Sequence, residues 1–437
     1  MKTQKINPIF HRSCGEAKAF VELFILFLFG LLGGQITFAD MLTVDAALSR
    51  AMQANPEVAA SAARADSEHA AIRSQYWLDN PRIGLMRENN LNLMESQMGP
   101  MNLWSVTQEV KFPTKYFLMG SMQAYRAEGA DYQHSAKRFE IRKKVISTYY
   151  GLFAASRIIS LLEAQKETTR EVARSAESRR ATGAVPQQDE MKAHVEQTRI
   201  EAELVMASQE KTAVEASLNA LLNQEASEPI VLPSQELPVP MLNVTAADVP
   251  KLAMSSSRQI KAAEAFSEEA GKKKALAAWN FAPDFALSYK KAWTSAPQDN
   301  YAIGVEISFP LWFFMKQTSE YSSAAALLVE AEKNLEKANR DTSSEVRSLS
   351  AKVDSFERLL KIYQTSLIPQ ANSALNSSRT AYQAGKVNFL ELLDSERSLY
   401  SVRIAYYRTL AQYVEYLTNL EEVAGTRLST LPFGDVL

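Results

Sequence analysis

Two periodicities alternate along the chain. Between residues 115 and 182 the apolar positions Val145, Tyr149, Leu152, Ile159 and Leu162 recur at helical spacing, with no proline and little glycine among them. That pattern predicts a single amphipathic helix, roughly 100 Å long at about 1.5 Å per residue. A return helix is expected from about Pro186, a residue suited to a first turn, to Leu222. The seam reappears in the second half at Val346, Leu349, Val353, Phe356, Leu360, Tyr363 and Leu367. It follows again at Leu399, Val402, Tyr406, Leu410, Tyr413, Leu417 and Leu420, a spacing that packs one helix along another.

Between these helical stretches the period drops to two. In 102–112, Trp104, Val106, Val110 and Phe112 fall on one face, and Ser105, Thr107, Glu109 and Lys111 on the other. Gln108 is the polar exception on the apolar face. In 301–309, Tyr301, Ile303, Val305, Ile307 and Phe309 alternate with Ala302, Gly304, Glu306 and Ser308. Shorter partners precede each run, with Ile83 and Leu85 before the first and Phe285, Leu287 and Tyr289 before the second. Alternation over about ten residues is the pattern of a transmembrane barrel strand. A half-buried strand of a soluble sandwich carries it too. Tryptophan placement favours the barrel. All five, Trp77, Trp104, Trp279, Trp293 and Trp312, lie in or beside the strand pairs. Phe112, Tyr116, Phe117, Phe309, Phe313 and Phe314 gather at the strand ends nearest the helices, as aromatic girdles do.

The plan of helix, strand pair and long helical hairpin occurs twice. Each hairpin turns at a glycine, Gly183 and then Gly385, and each glycine is followed six positions later by an acid, Asp189 and then Glu391. Two matching copies point to a duplicated architecture. The expected fold is therefore mainly α with a small β part, in two internal repeats. The first spans 40–225, with its strand pair at 81–112 and its tip near 183. The second spans 251–425, with its strand pair at 283–310 and its tip near 385. A proline-rich linker, 226–250, joins them. Within the second repeat one helix is expected over 248–279, and Pro369 is expected to stop or kink another. Phe112-Pro113 and Phe309-Pro310 close the two strand pairs alike. The tail, 426–437, is expected to be disordered.

The first 39 residues read as a cleaved signal peptide. Lys2, Lys5, Arg12 and Lys18 precede an apolar core over 20–32, and a small-residue site ends at Ala39. The core is short of the roughly 20 residues a spanning helix needs, and it contains Glu22. Cys14, the single cysteine, lies before that core, where lipid attachment does not occur, so the mature chain is expected to carry neither lipid nor disulfide.

Composition narrows the chemistry. The 437 residues carry a net charge of −2 with acids and bases well mixed, which argues against a nucleic-acid partner. His69, His134 and His194 are scattered without metal-ligand spacing, and no catalytic or phosphate-binding motif is present. No enzyme, no cofactor and no resident metal site are expected. Met86, Met94, Met98 and Met101 border the loop between the first two strands. Thioether sulfur suits Cu(I), whereas a flexible loop uses methionine equally well.

The run YQAGKVNFLELLDSERSL, with TVDAALSRAMQANPEV at the start and the duplicated strand–helix units, resembles the TolC-like outer-membrane efflux channel family. The resemblance covers roughly residues 42–425, and MGPMN followed by TQEV inclines it towards the heavy-metal efflux branch. Four strands cannot close a barrel, so the barrel must be shared between chains. Geometry allows two, three or four chains; the resemblance implies a homotrimer with twelve strands in outer-membrane lipid and a periplasmic helical tube. It implies a passive exit duct working with a periplasmic adaptor and an inner-membrane transporter of the RND type. A type I protein-secretion duct and a periplasmic scaffold without a pore are the alternatives. By the same resemblance Gly183, Gly385 and Lys386 belong to adaptor-docking tips, Asp189 and Tyr382 help hold the entrance shut, and Glu391 and Asp394 ring the constriction. Glu391 and Asp394, three apart, share a helix face. The family arginine two places after the second glycine is Val387 here, with Lys386 beside it.

Overall fold

The computed structural model describes residues 41–88, 101–181, 187–245, 247–293 and 300–432. In chain order the elements are α1 (Val44–Ala54), α2 (Pro56–Gln75), β1 (Arg82–Glu88), β2 (Met101–Val110), α3 (Pro113–Ala181), α4 (Gln187–Leu221), α5 (Val249–Ser256), α6 (Arg258–Trp279), β3 (Asp284–Trp293) and β4 (Asn300–Ser308). Helix α7 (Lys316–Ile362), a π turn (Tyr363–Leu367), α8 (Ile368–Gln383) and α9 (Phe389–Ala424) complete it. The second half thus repeats the first, element by element. Thr43–Pro229 and Ser234–Leu437 form one compact unit. The small second unit, Met1–Leu42 with Ile230–Pro233, is joined in its described part by a hydrogen bond from the Leu42 amide to the Val231 carbonyl, 2.8 Å.

Helix α3 is the spine of the large unit. Its 69 residues make a rod of about 100 Å, and Val145, Tyr149, Leu152 and Leu162 of the expected seam are buried. Helices α2, α4, α6 and α9 pack along it. A window within Pro113–Ser175 is long and apolar enough to cross a membrane, but more than half of it is buried against these neighbours, as in a core helix.

The breaks differ from the sequence expectation in three places. The single helix expected over 248–279 is two, separated at Ser257, whose extended backbone (φ −55°, ψ 123°) matches that of Asn55 (φ −70°, ψ 124°) between α1 and α2. The first break is marked by a proline; the second is set by packing, because Gly425 abuts it. A Cβ at Gly425 would lie 2.5 Å from the Ser256 carbonyl oxygen, and its φ of +64° is a left-handed value suited to glycine. Near Pro369 the helix does not stop. It widens for one π turn, in which the Ile368 amide donates to the Tyr363 carbonyl, making room for a ring that clashes with a carbonyl four residues back. The two Phe-Pro junctions also differ: Pro113 opens α3 directly, whereas a turn over 311–315 separates Pro310 from α7.

Residues 426–432 of the tail are ordered, against expectation; 433–437 lie outside the described residues. Leu428, Ser429 and Leu431 are buried, and Ser429 bridges Leu242 of the linker. Glu421 organises this strap. One carboxylate oxygen accepts from the Leu428 and Ser429 amides (both 2.9 Å) and the Ser429 hydroxyl (2.7 Å). The other accepts from Arg142 Nη1 (2.5 Å), while Arg142 also donates to the Pro432 carbonyl. Both side chains are essentially without solvent exposure.

The four strands form one antiparallel sheet in the order β1-β2-β3-β4. Its register sets rows across the sheet: Ile83, Val106, Tyr289 and Ile303 in one, Gln108, Leu287 and Val305 in the next. The apolar face is open, with Ile83 75% and Ile303 69% exposed, whereas Ser288 on the polar face is 2% exposed. That polar face is crowded: a Cβ at Gly84 or Gly304 would lie 2.8 Å from the hydroxyl of Ser105 or Ser288. Gln108 is reconciled with the apolar face because its amide donates to the Asp79 and Glu109 carbonyls, 2.8 and 2.9 Å. Lys115, buried, ties the sheet to α3 by donating to Asp284 (2.8 Å), which also accepts from the Phe112 amide (2.9 Å).

Removing one partner of a buried ion pair costs about 3–5 kcal/mol, because the other charge stays buried. Glu421→Ala should therefore lower resistance to urea unfolding by about that amount and expose 426–432 to protease. An unchanged midpoint would contradict the role given to the strap.

Candidate functional site

The end of the second hairpin is the best-described candidate. Helix α8 closes in a Schellman turn: the Lys386 amide donates to the Ala381 carbonyl (2.8 Å) and the Gly385 amide to Tyr382 (3.0 Å). Gly385 has φ +70° with open space around it, so a β-branched residue there would be opposed by backbone strain and not by a clash. Asn388 then caps α9, its side-chain oxygen accepting from the Glu391 amide at 3.0 Å. Glu391 stands at the third helical position, where an acid also favours the positive end of the helix dipole.

Tyr382 is 6% exposed and sits in an apolar cluster with Leu375, Phe389, Leu392 and Leu393 of its own hairpin, Ala173 of α3 and Ala193 of α4. Val387 packs against the same cluster, so the position of the family arginine is turned to the core. Asp189 stands on α4 one turn before Ala193; its side chain lies outside the described residues, as does the first tip at Gly183. Glu391, Asp394, Gly385 and Lys386 are exposed. Glu391 and Asp394 line a cavity of about 670 Å³ between the starts of α4 and α9, together with Met191, Val195, Leu390 and Arg397. The structure thus brings Glu391 and Asp394 onto one wall and buries Tyr382 behind it.

Above this wall lies a polar layer that the sequence reading missed. Arg397 forks onto Glu196 of α4, with Nε to Oε1 at 3.2 Å and Nη2 to Oε2 at 2.5 Å. Glu196 is 3% exposed. This pair joins the two hairpins and lines both the cavity at the tip and a second one of about 580 Å³ further along the helices. One position earlier, Glu396 is 1% exposed and accepts from Thr169 of α3 at 3.4 Å. Burial pushes its carboxyl up to about 7 from an ordinary 4.5. Arg397 lay within the run that carries the family resemblance; Glu196, about two hundred residues away, gave no local signal.

Among the described residues no three His, Cys, Asp or Glu side chains gather as a metal site. Two histidines serve helix packing: His69 meets Asp131 at 2.8 Å and His134 meets Ser61 at 2.7 Å. Met94 and Met98 of the methionine-rich loop lie outside the described residues.

A duplicated chain, each half joining two strands to a long helical hairpin, is the architecture of a TolC-like channel. The chain belongs to the outer membrane efflux protein family, whose pattern it matches twice, over residues 47–224 and 249–426. It is 25% identical to the cobalt-zinc-cadmium resistance protein CzcC of Cupriavidus metallidurans, over 89% of this chain and 91% of that one. It is 21% identical to the outer membrane protein TolC of Vibrio cholerae, over 94% and 96%. Its fold follows the crystal structure of the outer membrane protein VceC of Vibrio cholerae, with a TM-score of 0.75 at 17% identity over 88% of this chain and 96% of that one. The two matched segments carry the two repeats.

Proposed function

We propose that three copies of this chain build the outer-membrane exit duct of a tripartite efflux system. The observation that carries this reading is the sheet: an exposed apolar face, a crowded polar face, and two strands, β1 and β4, each with one unpaired edge. In lipid an open edge leaves backbone groups without partners. Three copies, β4 of one beside β1 of the next, give a closed ring of twelve strands with the apolar face towards lipid. A scaffold without a pore gives no reason for the exposed apolar rows. The aromatic residues Phe309, Trp312, Phe313 and Phe314, all exposed, form the girdle where the strands meet the helices.

On this reading residues 1–39 direct export and are removed, no lipid is attached, and α3, α4 and α7–α9 stand in the periplasm. The tips at Gly183, Gly385 and Lys386 receive a periplasmic adaptor that joins the duct to an inner-membrane transporter of the RND type. Asp189 and Tyr382 hold the entrance, and Glu391 and Asp394 from three protomers place six carboxylates round it, favouring cations. The similarity to a cobalt-zinc-cadmium resistance protein supports metal ions as the exported class. The competing reading, a type I protein-secretion duct, requires an ATP-driven exporter as its partner instead.

Cross-linking in native outer membranes should trap a ladder that ends at the trimer. Species that stop at monomer or dimer would sink the shared barrel. At the entrance, Asp189→Ala with Tyr382→Phe should raise single-channel conductance in planar bilayers, and Glu391→Gln with Asp394→Asn should weaken cation preference. If conductance and selectivity both stay unchanged, the tip is a docking surface only.

A further inference from the structure

We infer that Glu396 is a proton-operated latch: protonated, it lets the base of α9 stay packed on α3, and ionised, it loosens that contact and favours an open tip. The inference rests on the reading of this tip as the entrance of a duct.

The geometry is that of a carboxyl with no exit to water. Glu396 points from α9 into the junction of three helices and is 1% exposed. Its one neutral partner is the hydroxyl of Thr169 on α3, 3.4 Å away; one turn further along α9, Tyr400 lies 3.2 Å from the Thr168 hydroxyl and continues the seam. The charged groups that act on Glu396 come from every helix around it. Arg379 of α8 favours the carboxylate, while Glu196 of α4 and Glu171 of α3 oppose it. Glu196 is itself engaged by Arg397 and lies 3.9 Å from Arg199, so these two arginines serve Glu196, and Arg379 is the cation that acts on Glu396. An ionised Glu396 would add a second carboxylate near Glu196 at a position that is 1% exposed. A neutral carboxylic acid fits it.

The sign follows from where the proton binds more tightly. In the packed tip burial, the largest influence, raises the carboxyl to about 7; once hydrated in a loosened tip it returns towards 4.5. The packed state therefore binds the proton more tightly. Its advantage is full below the ordinary value and is lost as pH rises through 7. Acid conditions hold the tip packed, and neutral to alkaline conditions release it.

Hydrogen–deuterium exchange of the intact assembly in detergent tests this without requiring a pore. After correction for the intrinsic pH dependence of exchange, protection of 389–400 should fall about tenfold or more between pH 5.5 and pH 8. In Glu396→Gln, a neutral isostere, protection should stay high at both. Thr169→Val removes a partner that favours the carboxylate and should move the wild-type midpoint upwards, which keeps a readout if the glutamine variant fails to assemble. An identical pH response in wild type and Glu396→Gln, or a midpoint unmoved in Thr169→Val, would overturn the latch. Planar-bilayer recordings on the same preparation separate the two levels. Absence of channels at every pH contradicts the duct, whereas channels with a pH response that survives Glu396→Gln contradict only the latch.

Discussion

Backbone pairing at the two ends of a four-stranded sheet governs this molecule. Within one chain β2 and β3 are paired on both sides, while β1 and β4 each keep a free edge. Water would satisfy those edges, but the apolar rows that run across the sheet suit lipid and not water. The two demands are reconciled by further copies of the same sheet. That constraint is the ground on which a barrel shared between chains is proposed; within the chain, Lys115 and Asp284 fasten β3 to the start of α3.

The helices answer a different problem. A rod of 69 residues cannot be stable by propensity alone, and α3 is held because α2, α4, α6 and α9 each cover part of its surface. Polar side chains enter this core at two levels, and in both they join segments distant in sequence. Near the sheet end of α9, Arg142 and Glu421 fix the C-terminal strap. Near the tip, Glu196 with Arg397 and Thr169 with Glu396 join the two hairpins. The first level is fully satisfied and serves as an anchor. The second contains a carboxyl that burial pushes up to about 7, so its charge depends on pH.

Much of the architecture was legible in the sequence because its two periods are long and clean. Ile303 and Val305 alternating with Ala302 and Gly304 admit only a strand with unlike faces. Leu410, Tyr413, Leu417 and Leu420 admit only a helix with one packed stripe, and all four are buried. What escaped was set by contacts between distant segments. The break at Ser257 has no proline or glycine at the break; it exists because Gly425 packs against it. The order of the tail depends on Glu421 and Arg142, 279 residues apart. Pro369 was visible, but that a π turn would absorb it was not. At the tip, Asn388 three places before Glu391 is a capping signal that the sequence displays, and it supplies a local reason for Glu391 apart from any gate. The fork between Arg397 and Glu196 had no such signal.

The most direct test of the account is which face of β4 meets water in the intact outer membrane. Cys14 is the single cysteine of the sequence, so in a Cys14→Ser background single cysteine substitutions report cleanly. A membrane-impermeant maleimide should label Ala302→Cys and Glu306→Cys, which lie on the polar face that the proposed ring turns inward, and leave Ile303→Cys and Val305→Cys unlabelled. Equal labelling of all four, or labelling of 303 and 305 alone, would contradict a strand that spans the membrane with its apolar side to lipid.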